Sequence, residues 1–155
     1  MKTSFILSAL LFLAMFTNAQ NFLLSAKSGD IDLDASLNDI NVKAKSDLTL
    51  FKKDLSIEFN IGLPKIDKML TAQVSPADIF MVYQVANLTN NEPDLVLTSF
   101  NKNKEKGWGA IAKEMGIKPS SAEFHALKGK AKNKKEKKDK GEKGNGNGKG
   151  KGKKK

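Results

Sequence analysis

Between residues 107 and 129 the chain reads GWGAIAKEMGIKPSSAEFHALKG, which holds two helix-sized periodic units, a stop for each, and the only Trp and His of the sequence. Trp108, Ile111, Ala112 and Met115 recur at i, i+3, i+4 and i+7, the spacing that lines one face of an α-helix. Gly116 follows as a left-handed stop. Ile117-Lys118-Pro119 makes a short connector, and Ser120 to Glu123 has the S-x-x-E form in which hydroxyl and carboxylate each satisfy a backbone donor of the first turn. A second helix is expected over 121–128, packing through Phe124 and Leu127 and ending at Gly129.

Upstream, the apolar residues Leu37, Ile40, Ala44, Leu48, Phe51 and Leu55 step by 3, 4, 4, 3 and 4, which predicts a long helix from a Ser36 cap to about Phe59. Should that stripe be exposed, it is a candidate dimer seam. A competing period is present: Leu55, Ile57, Phe59 and Ile61 alternate with polar residues as a strand would. A lone hairpin is marginal in an otherwise helical chain, so helix is preferred. Pro64 opens a short helix carrying Ile66, Met69 and Leu70, and Ser75-Pro76-Ala77-Asp78 is a strong start signal for another, with Ile79, Val82, Tyr83 and Ala86 on one face. Asn90-Asn91-Glu92-Pro93 turns into a helix bearing Val96, Leu97 and Phe100, and NKNKEK over 101–106 reads as a polar loop. The expected fold is all-α, a compact bundle of five or six mostly short helices.

The ends are of different material. Lys2, the apolar run FILSALLFLAMF over 5–16 and small residues at Thr17 and Ala19 form a secretory signal peptide, cut after Ala19. The run is too short for a membrane span. Export places the mature chain in the periplasm or outside the cell, and without cysteine no disulfide frames it. From residue 128 to the end there are 14 lysines against Glu136, Asp139 and Glu142, a net of +11, while residues 1–127 carry a net of −1. With seven glycines and no large apolar residue after Leu127, this segment is expected to be disordered. The expected organisation is a signal peptide over 1–19, a helical domain over 20–128 and a polycationic tail over 129–155.

Two resemblances bear on function. IAKEMGI over 111–117 resembles the first helix and turn of repressor-type helix-turn-helix motifs, which implies a nucleic-acid-binding hairpin over 107–128. Any tight αα-hairpin needs the same layout, and Glu123 and His125 stand where base-reading Arg, Gln or Asn belong. Separately, NKEKGWG over 103–109, continuing through IAKEMGIKP over 111–119 to EFHALK over 123–128, is similar to a family of small exported bacterial proteins with a segment close to GKGWGxIAKELGIKPGSxEFHALK. The likeness spans about residues 30–129, with Ser120 where the family carries Gly, and implies export and a shared fold without an activity.

The chemical inventory is narrow. There is no Cys, no Arg and one His, so thiol nucleophiles, multi-histidine metal sites and arginine clamps are excluded. Asp30, Asp32 and Asp34 have the opening spacing of a calcium loop, but Ala35 and Asn41 replace its Gly and closing Glu, so they are read as acids at a helix start. His125 is a candidate for a Ser-His-Asp arrangement, although a lone His on a short helix more often packs or caps. Trp108 is expected in the core, with a stacking role as the alternative. Lys113, Lys118, His125 and Trp108 form the candidate interaction surface, and Lys130, Lys132, Lys134, Lys135, Lys137, Lys138, Lys140, Lys143, Lys149, Lys151, Lys153, Lys154 and Lys155 the polyanion-binding tail. The sequence thus predicts a non-enzymatic exported protein without cofactor or small-molecule substrate, adhering to anionic envelope polymers, anionic lipid headgroups or extracellular nucleic acid.

Overall fold

The computed structural model describes residues 27–136, with side chains through Lys134. Every regular element among them is helical: α1 (Ile31–Ser46), α2 (Leu48–Phe59), α3 (Leu63–Thr71), α4 (Pro76–Thr89), α5 (Pro93–Asn103), a 3-10 turn (Lys104–Lys106), α6 (Gly107–Glu114) and α7 (Ala122–Glu136). The signal peptide expected over 1–19 and the tail lysines from Lys137 onward lie outside the described residues.

Helix α4 is the axis of the bundle. Every residue from Pro76 to Ala86 is buried, and α1, α3, α5 and α7 pack around it. A helix apolar around its whole circumference has no solvent face, which is why its sequence shows more apolar positions than one stripe requires. Its start follows expectation: Pro76 sits in the first turn and the Asp78 N–H donates to the Ser75 hydroxyl at 3.2 Å. Asn41 of α1 satisfies a second free donor there, accepting from the Ala77 N–H at 2.8 Å.

The expected first helix starts earlier and is divided. Asp30, not Ser36, is the cap, accepting from the Leu33 N–H at 3.0 Å, with Asp32 and Asp34 in the first turn where the helix dipole favours them. Ser36 instead donates to the Asp32 carbonyl inside the helix at 2.9 Å. Asp47 makes the break. Its N–H closes α1 on the Lys43 carbonyl at 3.0 Å, and its carboxylate opens α2 by accepting from the Leu50 N–H at 2.9 Å. The apolar spacing runs through this corner because both helices bury the same stripe: Leu37, Ile40, Ala44, Phe51 and Leu55 are in the core and Leu48 packs against it. That stripe is therefore no exposed dimer seam. Residues 54–59 are helical as preferred, and the strand-like alternation dissolves, since Leu55 is fully buried while Ile57 is 71% exposed.

Two further boundaries differ. The run expected as a loop over 101–106 is the end of α5 followed by the 3-10 turn. And Gly129 ends nothing: α7 passes through it to Glu136. Gly129 lies on the exposed side, whereas Leu127 and Ala131 are fully buried and Lys134 is 9% exposed, at i, i+4 and i+7 of one face. Residues 129–136, expected as tail, belong to this helix because an alanine and a lysine stem bury without a large apolar group.

Candidate interaction surface

Trp108 belongs to the interior. It is 2% exposed, its ring stacks on Phe100 at 5.1 Å between centroids, and its indole N–H donates to Asp78 Oδ1 at 2.8 Å. The other Asp78 oxygen accepts from the Ser75 hydroxyl at 2.6 Å. One buried carboxylate, already committed to the start of α4, thus holds α6 onto the central helix. The hydroxyl of Ser75 gives its proton to Asp78 and accepts from the Asp78 N–H, so both of its functions are used in capping.

The glycines around Trp108 serve a close approach by the irregular segment that precedes α1. A Cβ on Gly107 would run into the Lys27 carbonyl, and one on Gly109 into the Ser28 carbonyl. Helix α6 has no side-chain cap; the Lys27 carbonyl accepts from the Trp108 N–H in that place. Ser28 is tied in turn to α1, its hydroxyl donating to Asp34 Oδ1 at 2.6 Å. The partner of these glycines lies about 80 residues away along the chain, and no local pattern in the sequence points to it.

Helix α7 packs along α1 and reaches α4. Its cap is Ser121, accepting from the Phe124 N–H at 3.2 Å, one residue beyond the expected Ser120, which is turned into the left-handed region with φ 62. The Glu123 carboxylate accepts from its own N–H and then from the Ser121 hydroxyl, which lowers its pKa. Two lysines of α7 are spent on the fold. Lys128 pairs with Asp30 at 2.9 Å and Asp32 at 3.3 Å. Lys134 pairs with Glu58 at 2.9 Å while lying 5.9 Å from the Phe51 ring centroid. Burial pushes the Asp30 carboxyl up, but the Lys128 ammonium and the Leu33 N–H outweigh it and the net direction is below 3.8. The same bond to Asp30 raises Lys128 above 10.5.

The remaining candidates are solvent-facing. Lys113, Lys118, His125, Lys130 and Lys132 are exposed, and no described residue hydrogen-bonds the His125 ring. The structure does not bring Trp108 to the same surface as these lysines. Among the described residues no group of His, Cys, Asp and Glu is arranged to hold a metal ion, and no helix is long and apolar enough to cross a membrane.

Fold and surface together define a class no finer than a small all-helical domain with exposed lysines on and around α6 and α7. Comparison takes the identification no further, since no family model, no curated protein and no solved structure matches the chain.

Proposed function

We propose that the protein is a non-enzymatic exported protein whose lysine-rich tail holds it to anionic polymers or membrane surfaces. The observation that carries this reading is the distribution of charge along the chain: after Glu136 there are nine lysines against Asp139 and Glu142. Lysine ammonium groups are hydrated point charges, suited to phosphate and carboxylate arrays and poor at reading base edges. Support comes also from the base of the tail. Helix α7 is seated by Leu127, Ala131 and Lys134, so a segment leaving at residue 136 departs from a fixed point on the body. The leading apolar run over 5–16 and the small residues before Gln20 support export.

The helix-turn-helix alternative finds no support in the packing of α7, whose buried face is turned onto α1 and α4 and whose Lys128 and Lys134 are engaged by carboxylates. The test compares the mature chain with one ending at Glu136 for binding to duplex DNA and to anionic vesicles at low salt. Loss on the order of 100-fold or more for both ligands is expected on removing the tail. Sequence-selective DNA binding retained by the shorter chain would overturn the proposal in favour of the hairpin.

A further inference from the structure

The body is not uniformly neutral: residues 28–99 hold six lysines against 11 acids, a net of −5, and residues 100–136 hold ten lysines against four, a net of +6. The fold gathers the excess. The end of α5, the 3-10 turn and α6 pack on one another. Lys102, Lys104, Lys106 and Lys113 are exposed there, and Lys118 follows just after α6. Lys27, also exposed, is brought beside them by the seat of its carbonyl on Trp108. The ion pairs of the described residues use Lys52, Lys65, Lys128 and Lys134, and none of these six. Of the two acids interleaved with them, Glu114 accepts from the Asn103 amide at 2.9 Å, a bond that joins the end of α5 to the end of α6. Lys104 lies over the Phe100 ring, 5.6 Å from its centroid, a contact that leaves its charge unneutralised, so the edge keeps a cationic surplus.

We propose that this α5–α6 edge is a second anion-binding surface, on the body itself, which engages the phosphate backbone of a nucleic acid without reading its sequence. The inference rests on the proposed polyanion-binding role and adds a site to it. A polyphosphate backbone fits better than a membrane, whose hold on a basic surface is strengthened by apolar side chains inserted beside the charges. The large exposed apolar side chains, Ile31, Val42, Leu50, Ile57, Leu63 and Leu95, lie on α1, α2, α3 and the start of α5, leaving this edge no wedge to insert among lipids. Sequence readout is absent for a chemical reason. The nearest aromatic rings, Phe100 and Trp108, are buried and give bases nothing to stack on, and no arginine is present to grip guanine. Tail and edge then act as two linked weak contacts, the first bound raising the effective concentration of the second.

The test uses the full mature chain and two variants with the same change in net charge. One is Lys102→Gln, Lys106→Gln, Lys113→Gln on the edge; the other is Lys45→Gln, Lys53→Gln, Lys68→Gln, exposed lysines of α1, α2 and α3. Binding to duplex DNA is followed across a salt series, and circular dichroism checks that both variants keep the wild-type melting profile. The edge variant is expected to lower the log–log salt slope by about 2 to 3, the counterions of three phosphate contacts, while the control changes it by less than about 0.5. Equal slopes in the two variants would overturn the site, and so would an edge variant that loses binding to anionic vesicles but not to DNA. If the wild-type chain itself bound neither ligand, the proposed function would fall as well, which separates that failure from failure of the edge alone.

Discussion

At the scale of single residues, the Asp78 carboxylate is the contact on which the most depends, since it accepts from the Ser75 hydroxyl and from the Trp108 indole while buried. Trp108→Phe keeps most of the stacking on Phe100 and removes the indole donor, leaving Asp78 Oδ1 short of a partner. A loss of about 2 kcal/mol is expected in urea unfolding; an unchanged midpoint would show that the bond does not hold α6. Ser120 offers the opposite sign. With φ 62 it occupies a region where a Cβ is strained, and Ser120→Gly is expected to raise stability by up to about 1 kcal/mol by the same measurement. The core position of Trp108 was legible because it shares a helical face with Ile111, Ala112 and Met115. Its partner was not, because Asp78 already had a complete local explanation as the acid in the first turn of α4 and nothing in the spacing points across 30 residues.

At the scale of elements, α7 is where the chain's polar and apolar halves meet. A chain ending at Lys128 lacks Ala131 and the Lys134 ammonium, leaving Glu58 unpaired, and is expected to lose roughly 2 kcal/mol relative to one ending at Glu136. Thermal melts of the two would agree only if residues 129–136 did not pack. The Lys128 clamp on α1 adds a pH dependence. Asp30, held low, contributes stability above its ordinary 3.8 that is lost as pH falls through its folded value; Lys128, held high, contributes stability below 10.5 that is lost as pH rises through its own. The contribution is full between those limits, and Lys128→Met is expected to flatten the fall in stability with pH below 3.8, measured as unfolding free energy against pH. Helix was legible wherever an apolar face recurs at 3.6 residues, and was missed over 101–106 and 129–136, where the sequence is polar. Boundaries were legible only where a cap was unambiguous, as at Ser75. The corner at Asp47 was hidden by an apolar stripe that continues through it, and the end of α7 by composition, since a lysine that buries its stem against Phe51 reads in the sequence like one that faces water.

At the scale of the whole molecule, a near-neutral body with a basic α5–α6 edge is followed beyond Glu136 by a segment with a net charge of +7. Its candidate residues separated on folding: Lys134 became structural, Lys113, Lys118 and His125 lie at the surface, and Trp108 is in the core. Composition revealed the charge but not which charges the fold consumes, because that depends on carboxylates such as Asp30 and Glu58 brought in from distant elements. Attachment through the charge beyond Glu136 remains the proposed role, and the salt dependence of duplex DNA binding tests it. The mature chain is expected to show a log–log slope steeper by about 5 or more than the chain ending at Glu136, the signature of counterions released by several tail lysines. Equal slopes for the two chains would rule out attachment through the segment beyond Glu136 and point to the helical body instead.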